Sequence, residues 1–119
     1  MQKFGVGIDM EEVTRFGKLD RLKNRRFFER IFTEKEMDYC FSKKDPSPYL
    51  AARFCGKEAV VKALGSIGIH KIGYLKIEIT NTTKGVPQVI LHTKEKNFHI
   101  QISISHARGY AIACAIVFK

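Results

Sequence analysis

Hydrophobic and polar positions divide the chain into stretches of different period. Residues 3–9, KFGVGID, read as a short strand that holds two glycines and closes on Asp9. Val13, Phe16, Leu19 and Leu22 then recur every third residue, which predicts a short amphipathic helix weakened by Gly17. Thr33 and Glu36 are spaced as a capping box, and Phe32 can staple against Met37, so a helix starts there. Ser47-Pro48 marks the next start, with Ser47 as N-cap and Pro48 in the first turn. That helix, the longest element, is expected to reach Leu64 and stop at Gly65.

Beyond Gly65, Gly68 and Gly73 the period shortens. YLKIEIT alternates, and Asn81-Thr82-Thr83-Lys84-Gly85 turns the chain into VPQVILH. IQISISH and YAIACAIVF follow, joined by a tight Ala107-Arg108-Gly109 turn. One strand, several helices including a long buried central one, and then an antiparallel sheet define an α+β fold over residues 1–119 as one domain. The last strand is apolar on both faces: Tyr110, Ile112, Cys114, Ile116 and Phe118 on one, Ala111, Ala113, Ala115 and Val117 on the other. Neither face should meet water, so this short chain is expected to oligomerise.

Composition narrows the setting. The hydrophobic fraction is 45%, as in ordinary globular proteins, and no apolar run approaches the ~18 residues of a membrane span. The opening MQKFGVGIDMEEV is not read as a signal peptide, because its apolar stretch is short and soon acidic. Cys40, Cys55 and Cys114 are odd in number and lack a CxxC spacing; they are expected as small core residues in a cytoplasmic protein. Net charge is +9. Between Thr14 and Arg30 the chain places seven basic residues (Arg15, Lys18, Arg21, Lys23, Arg25, Arg26, Arg30) against Asp20 and Glu29. Such a segment attracts an anionic partner or is simply a solvated basic face.

The central helix holds the candidate chemistry. From Tyr49 to Leu64 it is apolar nearly all the way round, yet it carries Arg53, Lys57, Glu58 and Lys62. Buried charges need partners or a route to solvent. Glu58 and Lys62 share one face; Arg53 and Lys57 share another, roughly 140° away. Glu58 and Lys62 could be a plain i,i+4 ion pair. Asp9, ending a buried strand, adds a second hard oxygen donor, and two carboxylates with phosphate oxygens and water would suit Mg²⁺.

With these residues in view the sequence resembles the 4′-phosphopantetheinyl transferases of the holo-[acyl-carrier-protein] synthase type. The match runs in order through Gly5-Val6-Gly7-Ile8-Asp9, Glu12-Val13-Thr14-Arg15, Phe32-Thr33-Glu34-Lys35-Glu36, the helix signature from Arg53 to Ala63, Gly85-Val86-Pro87 and Ser103-Ile104-Ser105-His106. The resemblance implies that fold, and transfer of the phosphopantetheine arm of coenzyme A to a serine of an acyl carrier protein in fatty acid biosynthesis. It implies Mg²⁺ on Asp9 and Glu58, with Lys62 on coenzyme A phosphate as the third catalytic residue. Arg53, Lys57, Gly85, Pro87, Ser105 and His106 would lie in or near the coenzyme A site. Family members of this length are similar to homotrimers with active sites between subunits. The acidic carrier protein then gives Arg15, Lys18, Arg21 and Arg25 a partner. The base for the serine proton is left open among Glu58, a metal-bound water and His106.

Two positions depart from the family pattern. Cys55 and Gly56 stand where alanines are usual, and the glycine should cost the helix ~1 kcal/mol. Met10 and Glu11 replace an aliphatic pair, with Glu11 expected to face solvent. The competing reading is a small basic nucleic-acid-binding α+β domain. Against it, the chain shows no aromatic ribonucleoprotein motif, no GXXG clamp and no zinc-finger spacing. Neither nucleic acid nor membrane is therefore expected as a partner.

Overall fold

A computed structural model describes residues 4–94 and 97–119. Strand β1 (Phe4–Glu12) leads into three short helices, α1 (Thr14–Gly17), α2 (Arg25–Ile31) and α3 (Glu34–Phe41). The 20-residue α4 (Ser47–Ser66) follows. A single 3-10 turn (Tyr74–Lys76) precedes β2 (Ile77–Asn81) and β3 (Pro87–Leu91), and the chain ends with β4 (His99–Ala107) and β5 (Tyr110–Phe118). β1, β5 and β4 form an antiparallel sheet in that order, and β2–β3 is a separate hairpin. The expected α+β order holds; Lys3, the first residue of the expected opening strand, lies outside the described residues.

Helix α4 packs on β1 and β5, with β4, β2, α1 and α3 around it. This enclosure is what its nearly uniform apolar wheel requires. β1 approaches so closely that a Cβ on Gly7 would stand 2.0 Å from the Ala59 carbonyl oxygen, and one on Gly5 2.2 Å from that of Ala63. Only glycine fits there. Gly56, read above as a weak point, makes room in the same way: its Cβ would meet Ile79 Cδ1 of β2 at 2.5 Å. The propensity cost is exchanged for packing of the buried Ile79.

The helix boundaries need correction. Ser47 is the first helical residue and Pro46 the N-cap position; Asp45 Oδ1 accepts the Ser47 N–H at 3.1 Å, the role assigned to Ser47. The helix passes through Gly65 and stops where Gly68 turns left-handed (φ 85°), with Ile69 N–H donating to Leu64 O. The helix expected from Val13 to Leu22 collapses to one turn at Gly17, leaving Leu22 83% exposed. Tyr74 to Lys76, read as part of a strand, is the 3-10 turn. The capping box at Thr33 and Glu36 forms as expected, and Phe32 and Met37 are both buried.

In β5 the Ala111, Ala113, Ala115 and Val117 face is buried against α4. The opposite face is open in this chain: Tyr110, Ile112 and Ile116 are each at least 40% exposed. Beside them Phe4, Val6, Ile8 and Met10 of β1 are each more than half exposed. Within the single chain, one of the two apolar faces of β5 is therefore uncovered.

Candidate functional site

Strand alternation carries Gly5, Gly7, Asp9 and Glu11 down the inner face of β1. The glycines let the strand close on α4, which delivers Asp9 to the two turns bearing Cys55 and Lys62. Cys55 Sγ lies 3.1 Å from the Asp9 carbonyl oxygen. Lys62 Nζ donates to Asp9 Oδ1 at 3.1 Å and to the Ile8 carbonyl oxygen at 3.0 Å. The other carboxylate oxygen, Asp9 Oδ2, is buried without a hydrogen-bond partner. Glu58 accepts a hydrogen bond from the Tyr74 hydroxyl. The i,i+4 pairing that spacing allowed for Glu58 and Lys62 is thus not the one adopted: Lys62 turns to Asp9, and Glu58 to Tyr74.

Glu11 does not face solvent as expected. Its side chain is only 15% exposed and pairs with Arg15 Nη1 at 3.0 Å. Burial, then the neighbouring Asp9 charge, raises its pKa. Negative charge therefore collects along this edge of β1 with Lys62 and Arg15 as its cations. Tyr74 is pushed up to about 12, first by its hydrogen bond to Glu58, then by burial and by the charge of Glu58.

Asp9 and Glu58 offer hard oxygen donors of the kind a divalent cation takes. Asp9 has one buried oxygen held free of protein donors. Among the described residues no group of three or more His, Cys, Asp or Glu side chains could hold a metal ion. A cation here would therefore take most of its ligands from substrate and water, as Mg²⁺ does.

The second charged face of α4 is of another kind. Lys57 is fully buried, with Nζ 2.6 Å from Glu36 Oε1 and 2.8 Å from the Tyr74 carbonyl oxygen. Burial pushes its pKa down against the pull of Glu36. A residue expected near coenzyme A thus sits inside the protomer with its donors engaged. Arg53 Nη2 donates to Asn81 Oδ1 at 2.7 Å, and Asn81 Nδ2 donates to the Gly85 carbonyl oxygen at 3.2 Å. Asn81 pairs with Pro87 across the hairpin. Arg53, Gly85 and Pro87 accordingly gather at one place, beside Tyr39, whose ring lies 4.4 Å from the Arg53 guanidinium carbon. Arg53 Nε is buried and unpartnered.

Ser105 and His106 do not join either group within one chain. Ser105 pairs with Ile112 and so shares the open apolar face, opposite to Asp9; His106 pairs with Ala111, on the inner side, and is exposed. Among the expected carrier-protein contacts, Lys18 is exposed, and Arg25 binds Glu29. Arg21 bridges to Glu34 and Asp38. Three of the four arginines and lysines named for that surface are thus held by carboxylates while still open to solvent. In the basic region Phe16 and Phe28 are buried and Phe27 is half-buried, so the first two offer nucleic-acid bases no stacking surface. Cys40 and Cys55 are buried as expected, with thiols pushed up to about 12 chiefly by that burial; Cys114 is half-buried. Both thiols are inert at neutral pH.

Sequence reading missed Tyr74 and Asn81. The alternation of YLKIEIT hid Tyr74 as a strand residue, and only the fold brings either to α4.

The sequence and the fold have counterparts in known proteins. Residues 5–115 match the model of the 4′-phosphopantetheinyl transferase superfamily. A holo-[acyl-carrier-protein] synthase of Chlorobaculum parvum is 39% identical over 112 residues, covering 94% of this chain and 96% of that protein. The crystal structure of the Helicobacter pylori holo-[acyl-carrier-protein] synthase in complex with coenzyme A is similar with a TM-score of 0.78 and 37% identity, covering 94% of this chain and 98% of that one. The Bacillus anthracis synthase, in complex with CoA (3′,5′-ADP), gives 0.79 at 29% identity, covering 99% and 98%. The chain belongs to the 4′-phosphopantetheinyl transferase superfamily, an enzyme family, and within it to the holo-[acyl-carrier-protein] synthases.

Proposed function

We propose that this protein transfers the 4′-phosphopantetheine arm of coenzyme A to a serine of an apo acyl carrier protein, leaving adenosine 3′,5′-bisphosphate. The observation that carries the reading is Asp9: one carboxylate oxygen ion-paired to Lys62, the other buried and unpartnered. A side chain in that state is costly to keep unless something else completes it.

The serine hydroxyl attacks the pantetheine-side phosphorus of the pyrophosphate, and the bond to the bisphosphate breaks. This chemistry needs alignment and charge neutralisation more than covalent help. Asp9 and Glu58 are the residues to hold Mg²⁺. When bound, the ion neutralises pyrophosphate charge as the leaving group departs. Lys62, whose side chain is 52% exposed, can turn from Asp9 to a phosphate oxygen. Arg53 supplies a fixed guanidinium beside the Gly85–Pro87 turn for a more distant phosphate of coenzyme A. Lys57 acts at that site through the residues it holds rather than by contact. For the serine proton, Glu58 is favoured over His106, because it stands in the cluster itself.

Ser105 lies on the opposite sheet face from Asp9, and that face is apolar and open. A second copy seated there would cover it and bring Ser105 toward a neighbour's cluster, which supports homotrimeric assembly with sites between subunits. The reaction places the protein in the cytoplasm, supplying carrier protein for fatty acid synthesis. Arg15, Lys18, Arg21 and Arg25 meet the acidic carrier protein by charge complementarity.

Intact-mass analysis tests the whole reading. Apo carrier protein incubated with this protein, coenzyme A and Mg²⁺ should gain the mass of one phosphopantetheine arm. It should gain nothing with chelator or with an Asp9→Ala/Glu58→Ala variant. No gain with several active carrier proteins would overturn it.

A further inference from the structure

Tyr74 is gripped at both ends by consecutive residues of α4. Its carbonyl oxygen accepts from Lys57 Nζ at 2.8 Å, and its hydroxyl donates to Glu58. One turn earlier on the helix, the Phe54 ring packs on the tyrosine ring with centroids 5.6 Å apart. Backbone, ring and hydroxyl are therefore all fixed from the same helix. Lys57 is itself locked by Glu36, whose other oxygen accepts the Ile79 N–H at 2.9 Å.

We propose that Tyr74 is a positioning residue for the transfer reaction: its hydroxyl holds one oxygen of Glu58 so that the carboxylate is pre-set to bind the divalent cation together with Asp9. This rests on the reading of Asp9 and Glu58 as the metal ligands. A glutamate on a helix has three side-chain torsions to fix when it binds a metal. A donor to one oxygen removes much of that freedom beforehand and leaves the other oxygen available. Hydrogen bonds from outside the ligand set serve this purpose in metal sites generally, and losing one typically weakens binding 10–100-fold. Phenylalanine keeps the contact with Phe54 and the carbonyl to Lys57, so Tyr74→Phe removes the hydroxyl alone.

The test is direct binding of Mn²⁺ in the presence of coenzyme A, followed by electron paramagnetic resonance of the free ion, to wild type, Tyr74→Phe and Asp9→Ala. The expected result is binding that Asp9→Ala abolishes and Tyr74→Phe weakens about 10-fold, with the melting temperature of Tyr74→Phe close to wild type. In the transfer assay the Mg²⁺ concentration for half-activation should rise by a similar factor, while kcat at saturating Mg²⁺ recovers. A structural role alone would lower the amount of folded enzyme and leave the Mg²⁺ midpoint in place. Wild-type binding that Tyr74→Phe leaves unchanged or tightens overturns the positioning role and spares the metal-site reading. Absence of Asp9-dependent binding in wild type overturns both.

Discussion

Two ionic clusters lie on different faces of one helix, bridged by Tyr74, and they are built to opposite standards. Around Lys57 the acid is answered on both oxygens. Glu36 takes the Thr33 N–H and the lysine on one oxygen and the Ile79 N–H on the other, and Lys57 also reaches the Tyr74 carbonyl. Around Asp9 the account is left open, with a buried oxygen unpartnered and a lysine half in water. A closed polar network fixes three elements at one point. An open one keeps coordination in reserve. In this chain satisfaction of hydrogen bonds separates structure from chemistry better than charge does, since both clusters pair one lysine with an acid.

Breaking each cluster should therefore cost different things. Glu58→Gln should lower transfer by about 10³-fold or more, on the order of 4 kcal/mol of transition-state stabilisation, while thermal melting stays within a few degrees of wild type. An active Gln variant in the mass assay would mean that the open cluster does not hold the reacting charge. Lys57→Met should do the reverse. It strands the buried Glu36 carboxylate and should cost about 3–5 kcal/mol of stability by urea unfolding, and adding Glu36→Gln should recover part of that. Equal losses in single and double variants would show that the pair is not the source.

Smaller effects sharpen the contrast. Arg15→Glu or Arg25→Glu should raise KM for the carrier protein several-fold and leave KM for coenzyme A unchanged, which steady-state kinetics would read. An unchanged carrier KM in both would remove that surface from recognition. The weakest effect concerns Glu78, a second satisfied acid, bonded to the Thr33 hydroxyl at 2.5 Å and to His92 at 3.2 Å. Burial raises its pKa, but these two partners more than offset it, and the net shift is below the ordinary 4.5. A depressed acid contributes stability that is present above its unfolded pKa and lost as pH falls through the folded one. The stability gap between wild type and Glu78→Gln should be full above pH 4.5 and close in stronger acid, as denaturation at several pH values would show.

The legible parts of the sequence were those set by local rules. The capping box at Thr33, the buried character of α4 and the two faces of β5 follow from spacing alone. Motif resemblance singled out Asp9, Glu58 and Lys62; the fold pairs Asp9 with Lys62 and turns Glu58 to Tyr74. What escaped notice depended on distant partners. Ser47 lies inside the helix with Pro46 at the N-cap and its N–H donating to Asp45 Oδ1, and Gly68, not Gly65, is the left-handed residue past the helix end. Resemblance places Lys57 in or near the coenzyme A site, and its pairing with Glu36 stayed hidden because that acid already had a local explanation in the cap. Tyr74 lay in an alternating run and gave no sign of its partner sixteen positions back.

The pairing of β1 with β5 joins Phe4–Glu12 to Tyr110–Phe118. A ribosome makes the acidic strand well before its partner. While the intervening residues emerge, Val6, Ile8 and Met10 have no sheet to join, and such long-range pairing is slow and exposed to aggregation. Asp9 settles into place only once the chain's other end has arrived. A polypeptide cut short before β5 would therefore lack a chemical centre as well as a fold, and a half-made enzyme could not act on coenzyme A.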